Sequence, residues 1–392
     1  MNTGPVARDF LIKKPDRKVK LFVDARWLTQ PGQGVYTYLC EVYRRLSRDH
    51  GDAFEICYGC VGDAVPDFLS GSDRVLTYAS DALAWRYLML GRAINRAGVD
   101  VAHFQYYLPR GLRASVKGIV TIHDVIFMKE KDLFPLTYTI PRYFLFRDAA
   151  TRARRVITIS EQSRDDLVKY FKLSDMKIEL IHLGMDTALT EATPAPVRDF
   201  SQGSYLLAVG RHEPRKNYAR LVEAYVRSGI HERMGIQLVI AGWYSRQFDN
   251  ELPSAPGVAL LPDCTNAQLA WLYRHARGFV FASIAEGYGL PVAEALSFGI
   301  PVAVSSTYPV PSLLAHAMFV FDPYSVPEMA RAIDALGSAA STGAPAATQA
   351  MWNWDDCATA HRNTFIDLAE RVNRAAHSRH GEDARPVAAG RR

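Results

Sequence analysis

The feature that most constrains this chain is an alternation. Short, near-continuous apolar runs are separated by longer stretches with helical periodicity, and the scheme occurs twice. In the first half the apolar runs are 19–26, 54–61, 100–105, 118–123, 156–160 and 178–183, with helical patterns at 34–48, 82–97 and 162–171. In the second half they are 205–210, 236–242, 258–261, 278–282, 302–305 and 319–322, with helical patterns near 216–228, 265–276, 290–298 and 326–336. Strands that alternate with helices are βαβ units, and these build parallel sheets. Val/Ile/Leu-rich strands without a polar face predict sheets covered by helices on both sides. Residues 187–203, rich in Thr, Pro, Ser and Ala, lack periodicity and read as a linker. The expected architecture is α/β: two doubly wound, Rossmann-like domains at 1–186 and 204–345, facing a central cleft. A last helical pattern at 354–374 follows a second break. Residues 376–392 are rich in Arg, Ala and Gly and read as a disordered basic tail. Ligands of such sheets lie beyond the carboxyl ends of the strands, so the cleft is the expected site.

Charge narrows the function. The 392 residues are 48% hydrophobic and 22% charged, with a net charge of +5. Residues 1–20 and 371–392 each carry +4 (six basic and two acidic side chains apiece), which leaves the body between them at −3. A basic excess confined to the termini argues against nucleic acid as a partner. It leaves room for weak attraction to an anionic membrane surface. The five cysteines are odd in number and scattered, as in reduced intracellular proteins. Cys57 and Cys60 form a lone C-x-x-C within an apolar run, without the second pair or histidines that a metal site needs. The amino-terminal segment has no apolar core of signal-peptide length. The longest uncharged run, 295–321, is broken by Pro301, Pro309 and Pro311, unlike a membrane span. The expected location is the cytoplasm, with at most a peripheral contact on the inner face of the membrane.

Four motifs follow expected strands. Glu286-Gly-Tyr-Gly-Leu-Pro-Val-Ala-Glu294 combines a glycine-flanked turn with a helix start near Leu290. The amides of Tyr288, Gly289 and Leu290 would favour a phosphate there, with one carboxylate on each side. Read alone, Glu294 also fits a helix-start acid and Glu286 a surface loop acid. Gly210-Arg-His-Glu-Pro-Arg-Lys216-Asn217 crowds Arg211, Arg215 and Lys216 at a strand end, where guanidinium forks and an ammonium suit phosphate oxygens. Taken singly, this is also an ordinary charged loop. Gly32-Gln-Gly34 is a loose cousin of the dinucleotide fingerprint and lacks its third glycine. His123-Asp124 places an imidazole where it could move a proton or bind a hydroxyl, or simply serve the core.

Taken together, these motifs resemble the retaining glycosyltransferases of family 4, which have the GT-B architecture. The likeness spans roughly 19–372 and includes Ile157-Thr-Ile-Ser160-Glu, Ile181-His-Leu-Gly184-Met-Asp186 and Trp352-Asn-Trp354. The bacterial enzymes of surface-polysaccharide assembly are the most similar. The resemblance implies a nucleotide-diphosphate sugar donor (GDP-mannose first, then a rhamnosyl or glucosyl donor) and a lipid-linked oligosaccharide acceptor. Arg211 and Lys216 would neutralise the leaving diphosphate, and Glu294 would bind the ribose hydroxyls. Glu286 would hold hydroxyls of the donor sugar, and the amides of Tyr288, Gly289 and Leu290 would touch sugar or phosphate. His123 would lie near the reaction centre, and Gly34 would let its loop approach the diphosphate or acceptor. No metal and no cofactor are expected, since there is no Asp-x-Asp. The sequence departs from the family's pattern at Tyr288, where Phe is common, and at His182-Leu183, where Pro-Asn is common. Two rivals stand beside this reading: a nicotinamide dehydrogenase, which would need the full glycine fingerprint, and a non-catalytic sugar-binding relative.

Overall fold

The structure, a computed structural model, describes residues 14–29, 33–49, 51–61, 68–69, 74–78, 82–184, 188–197, 200–242, 254–339 and 352–382. Among them, two wholly parallel sheets form the framework. The first contains β1 (Val19–Asp24), β2 (Phe54–Val61), β3 (Arg74–Tyr78), β4 (Val101–Gln105), β5 (Lys117–Thr121), β6 (Arg155–Thr158) and β7 (Ile178–Leu180), in the order β3-β2-β1-β4-β5-β6-β7. The second contains β8 (Tyr205–Val209), β9 (Gln237–Gly242), β10 (Val258–Pro262), β11 (Gly278–Phe281), β12 (Val302–Ser305) and β13 (Phe319–Phe321), in the order β10-β9-β8-β11-β12-β13. The apolar runs became strands because helices bury both faces: every residue of β4, β8 and β11 is buried.

One strand escaped the sequence reading. In β3 only Tyr78 is buried, while Arg74, Val75 and Thr77 are exposed. It is an edge strand, so it carries no continuous apolar run. The pattern at 82–97 resolves into two helices, Leu83–Leu88 and Leu90–Ala97, with the break at Met89. The linker segment starts with a short helix, Ala188–Glu191, whose Leu189 is buried. The five cysteines are free thiols. Burial pushes the thiols of Cys57 and Cys60 up, the latter to about 11, which makes them poor nucleophiles.

The terminal helix corrects the expected boundary. It runs from Trp354 to Glu382, so residues 376–382 are helical rather than disordered, and 383–392 lie outside the described residues. It packs on the first domain, although it follows the second in sequence. Arg45 of the helix Gly34–Asp49 pairs with Asp355 at 2.6 Å, and Phe365 meets Phe54 edge to face. Trp354 is fully buried, and the apolar core runs unbroken between the domains through Leu183, Leu189, Tyr288 and Trp354. Gly184 permits this return of the chain. A Cβ there would sit 2.3 Å from the Trp354 backbone nitrogen. Gly184→Ala is therefore expected to destabilise by about 1–3 kcal/mol, as other overpacked core sites do. Urea unfolding of the two proteins measures it.

Candidate active site

In each sheet the strand order reverses direction at one place, between β1 and β4 and between β8 and β11. Loops that leave the strands on either side of such a point diverge and open a crevice. The two crevices meet in a cavity of about 420 Å³. Gly34, His123, Arg211, Lys216, Glu286, Tyr288, Gly289, Leu290 and Glu294 all line it. Gly32 lies outside the described residues.

The centre of the cavity is a buried charge cluster. The Glu286 carboxylate receives Lys216 Nζ at 2.6 Å and Arg215 Nη1 at 2.5 Å. Burial pushes its pKa up, but Arg215 and Lys216 outweigh burial and hold it down to about 2. Arg215 also reaches Glu213 at 2.7 Å. Burial pushes Lys216 below the usual range, although Glu286 pulls the other way. Arg211 is the most exposed cation of the group, and among the described residues it pairs with Glu213 at 3.4 Å.

The turn that presents Glu286 is clamped from the first domain. The Ser160 hydroxyl donates to the Gly287 carbonyl at 2.6 Å, and a Cβ on Gly287 would lie 2.8 Å from the Asp124 carboxylate. The Tyr288 hydroxyl donates to the Leu183 carbonyl at 2.8 Å, so the atom that distinguishes it from Phe links the two domains. Gly289 has φ +85°, and a Cβ there would strike the Tyr308 ring at 2.5 Å. Glycine is required there on both counts. It precedes the helix Leu290–Ser297, whose first two residues, Leu290 and Pro291, line the cavity.

Two acids behave oppositely to Glu286. Burial raises Glu294 to about 7, even though it accepts a hydrogen bond from the Tyr273 hydroxyl at 2.8 Å. Burial also raises Asp124, against the pull of Arg215. His123 is 5% exposed, and its Nε2 lies 2.9 Å from the side-chain oxygen of Gln105. Burial, with the nearby His361, lowers it to about 3, so the ring is neutral near pH 7. It can bond a hydroxyl or phosphate oxygen there without contributing a charge.

Asp124 and Arg215, which stood within the sequence motifs, line the cavity too, and so do Tyr106 and Asn266, which were not singled out from the sequence. Tyr106 follows β4 with φ +66°, rare for a bulky residue. Its position after a strand end was the available signal, the same one that marked His123. Arg215 was legible as a charge but not as the partner of Glu286, which lies 71 positions away.

Residues 32–189 match the model described as Glycosyltransferase Family 4, and residues 190–341 the one described as Glycosyl transferases group 1. The chain belongs to the family 4 glycosyltransferases. The O-antigen chain mannosyltransferase B of Escherichia coli is 27% identical over 66% of this chain and 72% of its own length. The O-antigen chain mannosyltransferase RfbU of Salmonella typhimurium is 24% identical over 71% and 79%. Among solved structures, the sucrose-phosphate synthase of Thermosynechococcus elongatus superposes with a TM-score of 0.61 at 16% identity, covering 93% of this chain and all of that one. The lipopolysaccharide glycosyltransferase WaaG gives 0.60 at 15%, covering 90% and 98%. These neighbours share the GT-B fold.

The raised pKa of Glu294 in this transferase has a consequence for stability. A carboxyl at 4.5 when unfolded and about 7 when folded contributes fully below pH 4.5. That contribution is lost as pH rises through 7. Glu294→Gln is thus expected to stabilise the protein at pH 8 by on the order of 1–3 kcal/mol, and to change little near pH 4.5. Urea melts at the two pH values check this.

Proposed function

We propose that this enzyme is a retaining mannosyltransferase. In this reading it moves mannose from GDP-mannose to a lipid-linked oligosaccharide during surface-polysaccharide assembly. One observation carries it: cations, a glycine turn at a helix start and two carboxylates converge on a single cavity between the domains. The mannosyltransferase names of the relatives support the choice of sugar.

The roles follow from the chemistry. Arg211 and Lys216, with the amides of Tyr288, Gly289 and Leu290, stabilise the charge that develops on the departing diphosphate. Glu294 accepts from the ribose hydroxyls, and Glu286 holds hydroxyls of the sugar. As the anomeric carbon–phosphate oxygen bond breaks, the acceptor oxygen bonds to the same face of that carbon. Its proton passes to the leaving phosphate oxygen. No metal takes part in this reading, so EDTA leaves turnover unchanged.

A second cavity of about 1180 Å³ adjoins the first and shares Tyr106, Asp124 and Arg211 with it. Trp27, Tyr107, Tyr138 and Arg142 line it, and aromatic faces and guanidinium groups suit a glycan acceptor. At its border the helix Leu136–Arg152 buries Phe146, Ala149 and Ala150 inward. The same helix exposes Leu136, Ile140 and Phe144 at 69%, 51% and 64%, and Phe144 also lines the cavity. Among the described residues no helix is long and apolar enough to cross a membrane. An exposed apolar stripe beside the acceptor cavity supports a contact on the membrane surface instead.

A thermal-shift panel of GDP, UDP, dTDP and ADP with their sugars, plus NAD(H), tests the donor. Ligand at 100 times its Kd stabilises by about 2.7 kcal/mol. GDP and GDP-mannose are expected to raise Tm. A response to UDP- or dTDP-sugars alone moves the assignment to a glucosyl or rhamnosyl donor. Glu286→Gln keeps the shape and removes the charge between two cations. It is expected to lower kcat/KM by about 100-fold, as loss of a preorganised polar partner does in other sites, and also to lower Tm. Wild-type turnover in that variant removes Glu286 from the mechanism.

A further inference from the structure

Behind His123 runs a row of polar side chains that the proposed chemistry does not use. Gln105, His103, Thr121, Tyr38 and His361 are each 0% exposed. They come from β4, β5, the helix Gly34–Asp49 and the terminal helix. Burying so many polar groups is unfavourable unless every one is satisfied, and apolar packing would fill the space more cheaply. The row therefore calls for a role beyond filling the core.

Its far end sets a direction. His361 Nδ1 lies 2.7 Å from the Cys357 carbonyl, which can only accept, so the proton of this ring sits on Nδ1. Its Nε2 then accepts from the Tyr38 hydroxyl at 2.6 Å. Tyr38, its proton spent, accepts from Thr121 at 3.0 Å, and Thr121 accepts from His103 Nε2 at 2.7 Å. The Tyr43 hydroxyl completes the set by donating to His103 Nδ1 at 2.6 Å. Burial keeps all three histidines neutral, which this ordering requires. In the structure the Gln105 amide nitrogen lies 3.4 Å from His103 Nε2 and its oxygen lies 2.9 Å from His123 Nε2, which sets two N–H donors against each other at His103. The oxygen and nitrogen of an amide are distinguished by their partners. Since His103 Nε2 carries a proton, the amide oxygen belongs at that end and the amide nitrogen at His123.

We propose that Gln105 is a positioning residue for the transfer: it donates to His123 Nε2, so that His123 presents an Nδ1–H to the cavity. The ordered row from Cys357 to His103 enforces that choice. His123 lines the cavity, and Nδ1 has no hydrogen-bond partner among the described residues. An Nδ1–H there donates to an oxygen of the donor, whereas the other tautomer would meet that oxygen with a lone pair. The proposal rests on the reading that His123 serves the transfer.

Long-range proton–nitrogen spectra of the full chain, labelled with nitrogen-15 in histidine, test it. His123→Ala identifies the His123 signals, which are expected to show the Nδ1–H form. Gln105→Glu removes the amide N–H; read at pH values on both sides of the titration of the introduced carboxyl, it is expected to move the proton to Nε2 in the ionised form, which only accepts. It is also expected to lower kcat with GDP-mannose at least tenfold and change KM less than threefold. Gln105→Met, similar in volume and unable to bond either ring, is expected to lower kcat comparably, and it carries the test if Gln105→Glu does not fold. Either Gln105 substitution is expected to cost nothing further in a His123→Ala background. An Nε2–H form in the wild type overturns the proposal, as does a Gln105 effect that persists in full without His123. Full turnover of His123→Ala overturns the underlying role of His123, while the spectrum still decides the tautomer.

Discussion

Two parallel sheets, each covered on both faces, leave this protein few places to do chemistry. The faces are core, and the open ground is where loops leave the carboxyl ends of the strands and diverge at the order reversal. Everything in the site obeys that constraint. Arg211, Arg215 and Lys216 follow β8, Glu286 and its turn follow β11, and His123 follows β5. The domains do not merely face each other. Ser160 and Tyr288 tie the turn of one domain to the backbone of the other. The terminal helix then carries the chain back to the first domain, past Gly184.

Within that frame, burial sorts the ionisable groups. A buried carboxylate keeps its charge only where cations stand against it, and Glu286 has two of them. Glu294 has a tyrosine hydroxyl and a more distant lysine, so its pKa rises. His123, surrounded by rings and an amide, is neutral. The cavity thus gathers its charge on the side that would meet a diphosphate, and keeps uncharged hydrogen-bonding groups elsewhere.

Much of this was legible in the chain. The apolar runs marked every strand except β3, whose exposed edge position removes the run that signals a buried strand. The glycines around Tyr288 marked a turn, and the structure requires glycine at Gly289 on conformational and steric grounds alike. Tyr106 was missed because nothing in its local pattern distinguishes a strained cavity residue from a strand end. Gln105 was missed because a lone glutamine in an apolar strand looks like an imperfection. The terminal helix was read too short because the sequence of its last turns carries charges and small residues rather than a periodic apolar pattern.

What the sequence determined by itself is periodic or local: the alternation that makes two parallel sheets, the loops that carry chemistry, and the spacing of Glu286 and Glu294 across one turn. What only the tertiary structure decided is pairing at a distance. Ser160 meets Gly287 across 127 positions, and Tyr38 meets His361 across 323. A hydroxyl or an imidazole is equally compatible with water, a helix cap or a partner at the other end of the chain. The choice among these follows from which surfaces the folded sheets bring together, and local pattern carries no record of it.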